Sequence, residues 1–256
     1  MTALPFTLTR QVVIRASQDL VFRFFTDSTR FAAWWGPGST IDARPGGKVR
    51  IVYPGGVLVT GEVLRVDPVR EISFTYGYEE QNREMIAPGG SRVTISLASH
   101  PEGTMLSLRH DVPTAVAREA HEAGWRYQLS VFANVAAAEA HAGANDAIDR
   151  YFALWSEPDA ARRTEMLRAL AAPDVVFRDR FGCTASLDDL AGHITAATQH
   201  MPGLRLERDG EVRQCQGTAV ADWMVRAPDG SVAMRGRNVF DFGPDGRLTR
   251  VVGLWA

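Results

Sequence analysis

The stretch PDVVFRDRFG, residues 173–182, is an apolar, alternating run that ends on an acid, Asp179, just before a turn signal at Gly182. As a strand it points Val175, Phe177 and Asp179 to one face, because side chains alternate with a period of two. Two hydrophobes mark that face as interior, and an acid there must be hydrogen-bonded, protonated or at the mouth of a cavity. Asp179 is therefore a candidate general base. The acid alone favours the other reading, a strand-end aspartate that closes a turn.

Working outward, AIDRYFALW and DAARRTEMLRALA precede the strand with helical spacing. SLDDLAGHITAATQHM follows it as a further helix, opened by Ser186 with Asp189 as a capping box and striped by Leu187, Leu190, Ile194 and Met201. After that the pattern is β, with LRLERDGEVRQCQG, TAVADWMVRAPDG, SVAMRGRNVFDFGPDG and RLTRVVGLW divided by PDG-type turns. Helices followed by a strongly curved antiparallel sheet predict a cone with one opening. On the strand NVFDF, Asn238 shares a face with Val232, Met234, Phe240 and Phe242, and a polar group on such a face needs a partner or a ligand. Arg235 and Arg237 take the other face, as solvent or dimer contacts.

RYFALWSEPD, APDVVFRDRFG, DLAGHITAATQHMPG, GTAVADW and RNVFDFGPDGRLTRVVGLW, in that order, resemble the SnoaL-like members of the nuclear-transport-factor-two superfamily from about residue 144 onward. That resemblance implies kinship with polyketide cyclases, ketosteroid isomerases and dehydratases, and with members that only bind or assemble. Ketosteroid isomerase-like relatives place a catalytic acid at the end of an apolar strand, three residues before a glycine, as Asp179 and Gly182 stand here. Their oxyanion hole uses a helical tyrosine and a protonated aspartic acid. The resemblance puts Tyr151 at the first position and Asn238 at the second, so the implied site is a base, Asp179, with two donors. Trp155, Phe177, Trp223 and Phe240 are candidate cavity walls, with core packing as the equal alternative for Trp155 and Trp223. His193 and His200 are read as surface residues, with an acid-base role as the alternative. Family resemblance also implies a homodimer through this C-terminal domain.

The first half opens with a strand, FTLTRQVVIRA, and two short helices in SQDLVFRFFTDSTRFAAWW, with Ser17 as N-cap. KVRIVY, VLVTGEVLRV, EISFTYGY, RVTISLAS and TMLSLRHDV are five short strands divided by Gly and Pro turns. A long helix spans Thr114–His141, with Val116, Ala120, Tyr127, Val131 and Val135 as its apolar stripe. Together these predict a helix-grip. VFRFFTD, FAAWWGPG, DARPGG, GEVLRVDPVREISFTY and HEAGWRYQLSVF resemble the Aha-type branch of the START-like (SRPBCC) superfamily, related to activators of heat-shock-protein ATPase, over about residues 8–140. That implies an apolar pocket, with Trp34, Trp35, Tyr76, His110 and Trp125 as candidate lining. The alternative is that the tryptophans fasten a helix end and His110 is a core residue. EEQNREMIAPGG at 79–90 has no strand pattern and reads as a lid or a solvated loop.

The expected fold class is thus α+β, a START-like helix-grip over residues 1–142 followed by a SnoaL-like cone-shaped α+β barrel over 143–256. A net charge of -2 gives no nucleic-acid surface. The start MTALPFTLTRQVVIRAS lacks the pattern of a signal peptide or membrane anchor, so a cytoplasmic protein is expected. Cys183 and Cys215 form no CxxC pair and are read as reduced, structural thiols. No metal motif, P-loop or GxGxxG follows a strand, so neither metal nor cofactor is expected. Three functions fit: a carrier or sensor of small apolar molecules, an isomerase, cyclase or dehydratase working beside a carbonyl, and a co-chaperone-like module.

Overall fold

The structure, a computed structural model, describes residues 4–79 and 86–256; residues 80–85 of the 79–90 stretch therefore lie outside the described residues. The chain divides into two compact units, Met1–Ala137 and Ala138–Ala256.

The first unit begins with β1 (Phe6–Ile14), α1 (Gln18–Arg23), α2 (Ser28–Trp35), β2 (Thr40–Ile41) and β3 (Lys48–Val52), and continues with β4 (Leu58–Asp67), β5 (Glu71–Tyr78), β6 (Ser91–His100) and β7 (Gly103–Val112). The strands form one antiparallel sheet in the order β1-β7-β6-β5-β4-β3-β2. Ser17 and Asp27 cap α1 and α2 by accepting the Leu20 and Arg30 backbone N–H groups. The long helix α3 (Ala115–Ala140) lies across the sheet, reaching β5 through His121 and Tyr78 and β7 through Trp125 and His110. This is the helix-grip.

The stripe expected on α3 is displaced. Val116 and Tyr127 are exposed, while His121, Trp125, Gln128 and Phe132 are buried. Hydrophobicity alone picks the wrong face because His121 and Gln128 are buried with hydrogen bonds, to the Tyr78 hydroxyl and the Trp34 carbonyl.

The second unit contains α4 (Ala144–Leu154), α5 (Ala160–Leu170), β8 (Ala171–Arg178), β9 (Cys183–Thr184) and α6 (Leu187–His200), then β10 (Arg205–Arg208), β11 (Arg213–Cys215), β12 (Thr218–Arg226), β13 (Val232–Phe242) and β14 (Leu248–Trp255). The sheet runs β10-β12-β13-β14-β8-β9, with β11 also on β12. It is antiparallel except that β14 pairs with β8 in parallel, a correction to the fully antiparallel sheet expected. The segment between β8 and β14 includes α6 and the β10–β13 strands, long enough for the crossover that a parallel pair requires. Ser186 caps α6 through the Asp189 N–H at 3.1 Å. Val232 leaves the face it was expected to share with Asn238, because the β12–β13 register shifts beside Arg226. Both cysteines stand at exposed positions, so neither belongs to the core.

Candidate functional site

The C-terminal unit encloses a cavity of about 690 Å³. Its walls come from side chains that the cone turns inward: Trp155 just after α4, Phe177 on β8, Trp223 on β12, Met234 and Asn238 on β13, and Trp255 on β14. An aromatic wall runs from Trp223 to Trp255, edge-on at 5.2 Å between ring centroids, and from Trp255 to Phe181, edge-on at 5.0 Å. Phe181 is exposed, and the Arg180 guanidinium lies 5.6 Å from its ring.

Asn238 is buried, and its Oδ1 accepts the Trp223 indole N–H at 2.8 Å. An indole N–H only donates, so this bond settles which end of the amide is oxygen. The Asn238 NH₂ is left as a donor on the cavity wall. Two glycines make room for this pair. A Cβ at Gly236 would collide with the Trp223 ring and with the Leu254 carbonyl. At Gly253, opposite Asn238 on β14, a Cβ would fall 3.1 Å from the Asp179 Cβ and 3.2 Å from Asn238 Oδ1. Asp179 and Asn238 are thus near neighbours, with only a glycine between them.

Asp179 lines the same cavity, half-buried. Its Oδ1 accepts the backbone N–H groups of Phe181 at 2.7 Å and Gly182 at 2.6 Å, and its own N–H donates to the Gly182 carbonyl at 2.9 Å. One carboxylate oxygen therefore closes the turn. The other has no partner among the described residues.

Tyr151 stands apart. It is completely buried, packed edge-on against Phe240 at 5.3 Å, and neither ring lines the cavity. Burial pushes the Tyr151 phenol far above its ordinary range; the nearby Trp155 indole offsets part of that and the Asp179 carboxylate adds to it. The Tyr151 hydroxyl and the Trp155 Nε1 nevertheless have no hydrogen-bond partner of good geometry among the described residues. The structure thus brings Asp179 and Asn238 together with Trp155, Phe177 and Trp223, and leaves Tyr151 and Phe240 behind the wall.

His193, read from the sequence as a surface residue, lines the cavity half-buried. Its ring lies 5.1 Å from Phe177 and edge-on to Trp155 at 5.8 Å. Its position three residues after buried Leu190 was the available signal. His200 is exposed, with Nδ1 bonded to the Ala196 carbonyl at 2.7 Å.

The N-terminal unit holds a second cavity of about 380 Å³, lined in part by Trp34, Trp35, Tyr76 and Trp125. His110 is fully buried behind it. His110 Nδ1 accepts the Trp125 indole N–H at 3.0 Å and its Nε2 meets Ser91 Oγ at 2.8 Å. Burial, followed by the neighbouring His121 and against the pull of Asp111, lowers His110 to about 3, so it is neutral. Tyr53, Tyr78 and His121, which the sequence did not single out, also line this cavity. Their groups form a chain: Tyr53 and Tyr76 hydroxyls at 3.0 Å, Tyr76 and Tyr78 at 3.0 Å, Tyr78 and His121 Nε2 at 3.2 Å.

Residues 15–137 match the family described as activator of Hsp90 ATPase homolog 1-like protein, and residues 148–251 match the SnoaL-like domain family. The chain joins an AHSA1-type domain to a SnoaL-like domain. Among solved structures, an AHSA1-like protein from Rhizobium etli is 30% identical, covering 53% of this chain and 86% of its own, with a TM-score of 0.43. A protein of the SnoaL-like family from Agrobacterium tumefaciens, named as a candidate isomerase, is 25% identical, covering 46% of this chain and 98% of its own, with a TM-score of 0.43. The Aha1 dimer from Colwellia psychrerythraea is 16% identical, covering 48% and 90%, with a TM-score of 0.41. A search of curated proteins finds no match. No helix among the described residues is long and apolar enough to cross a membrane.

Proposed function

We propose that the SnoaL-like domain binds a small, flat, largely apolar molecule carrying one acceptor oxygen, and that the protein acts as a carrier or sensor of it. The observation that carries this is the aromatic cavity of about 690 Å³ whose buried Asn238 amide is held by Trp223 with its NH₂ left to donate. Apolar walls supply affinity and one placed donor supplies orientation. The turn-closing bonds of Asp179 favour this reading, since they give that carboxylate a structural task. Calorimetric titration with 2-acetylnaphthalene and its deoxygenated counterpart 2-ethylnaphthalene tests it. The ketone should bind about three- to tenfold tighter, the worth of one hydrogen bond, and Asn238→Ala should erase the difference. Equal affinities in the parent protein, or no binding of either, would retire the proposal.

A second reading is proton abstraction beside a carbonyl, of the isomerase or cyclase type. It is favoured by the proximity of Asp179 and Asn238 across Gly253, which supplies a carboxylate oxygen and an amide donor to one substrate. Exchange of the methyl protons of 2-acetylnaphthalene into D₂O, lost in Asp179→Asn, would support it; exchange at the buffer rate would end it. A co-chaperone role, carried by the AHSA1 family name alone, ranks third, because fold kinship does not convey a partner. The homodimer through the SnoaL-like domain and the cytoplasmic location belong to the same proposal, and sedimentation equilibrium and cell fractionation test them.

A further inference from the structure

We infer that the AHSA1-type cavity is a second small-molecule site, built to take a hydroxyl group as a hydrogen-bond donor, with hydroxylated aromatics such as naphthols as its ligand class. The direction of the Tyr53–Tyr76–Tyr78–His121 chain carries the inference. His121 Nδ1 lies 2.7 Å from the Ala117 carbonyl, which only accepts, so Nδ1 holds the proton. Burial lowers the His121 imidazole below its ordinary range, against the pull of that carbonyl, so the ring is neutral and Nε2 is bare. The Tyr78 hydroxyl must then donate to Nε2, Tyr76 to Tyr78, and Tyr53 to Tyr76. Every proton in the chain points away from the Tyr53 oxygen. That oxygen keeps free lone pairs and has no other partner among the described residues, so it can only accept.

The surroundings fix the rest of the ligand. Trp35 stands edge-on to Tyr53 at 5.5 Å between centroids and at 73° to Trp125 at 5.5 Å, giving aromatic walls. Gln128 is committed to the Trp34 carbonyl. No Lys, Arg, Asp or Glu is among the described lining residues, so nothing there matches a carboxylate or phosphate. A flat ring system fits those walls, and its O–H donates to Tyr53.

The test is an indole ¹H–¹⁵N titration of the full chain with 2-naphthol and with its methyl ether, 2-methoxynaphthalene. Signals of Trp34, Trp35 and Trp125 report this cavity; those of Trp155, Trp223 and Trp255 report the other. The naphthol should shift the first group and bind there about three- to tenfold tighter than the ether. Tyr53→Phe should bring that ratio to about one while leaving the ether affinity unchanged. Tyr78→Phe should shrink the ratio too, because Tyr76, losing its acceptor, is free to turn its proton toward Tyr53. A parent ratio near one, an unchanged ratio in Tyr53→Phe, or no shift of the first group by either compound overturns the inference.

Discussion

Removing the Asp179 side chain separates a turn-closing role from a purely catalytic one. Asp179→Ala deletes the acceptor of two short bonds, from the Phe181 and Gly182 N–H groups at 2.7 and 2.6 Å. Bonds to a charged group are worth more than neutral ones, but this turn is at the rim, with Phe181 exposed, so a freed N–H is rehydrated. The loss should therefore resemble that of a helix N-cap, about 1–2 kcal/mol. Asp179→Asn keeps an oxygen in the same place and should cost about 0.5 kcal/mol. With a urea slope of about 2 kcal/mol/M, the alanine midpoint falls by about 0.5–1 M and the asparagine midpoint by about 0.2 M. Urea unfolding read from the Trp155, Trp223 and Trp255 indole signals confines the measurement to the SnoaL-like domain. Equal losses in the two variants, or no loss in either, would refute the turn-cap account.

Three further outcomes follow from the geometry. His110 is lowered to about 3 from 6.5, and His121 is lowered too, so the unfolded chain binds more protons than the folded one in that window. Stability of the AHSA1-type domain should be full above about pH 6.5 and fall as pH drops toward 3, with a slope of about 1.4 kcal/mol per pH unit from His110 and a contribution of the same sign from His121; a flat profile from pH 7 to 4 by tryptophan fluorescence would contradict it. Gly236→Ala should displace the Trp223 ring and strain β14, lowering the thermal midpoint of the SnoaL-like domain by several degrees, about 1–3 kcal/mol. In a double-mutant cycle, Trp223→Phe and Asn238→Leu should each cost about 1–3 kcal/mol, and the double variant about 1 kcal/mol less than their sum, since each single change strands a buried partner.

Strands and turns were the most legible features, because alternation and PDG-type punctuation are local. The acid at Asp179 was legible as a question, and its turn bonds reach only residues 181 and 182, within the quoted stretch. What the sequence concealed depends on distant pairings. Tyr53, Tyr76, Tyr78 and His121 meet only because β5 lies under α3 and Tyr53 follows β3. The buried face of α3 was misplaced for the same reason: His121 and Gln128 are polar until their partners are known. Family resemblance makes Tyr151 an oxyanion donor, whereas it is Trp155, four residues further on, that lines the cavity. Gly236 and Gly253 carry no local signal either, since it is the side chains across the sheet that require them.

The central claim, a ligand cavity in the SnoaL-like domain, is tested most directly by the indole ¹H–¹⁵N spectrum during titration with 2-acetylnaphthalene. The account predicts saturable shifts of Trp155, Trp223 and Trp255, largest for Trp223, whose N–H is bonded to the orienting Asn238. Shifts confined to Trp34, Trp35 and Trp125, or none at all, would contradict it.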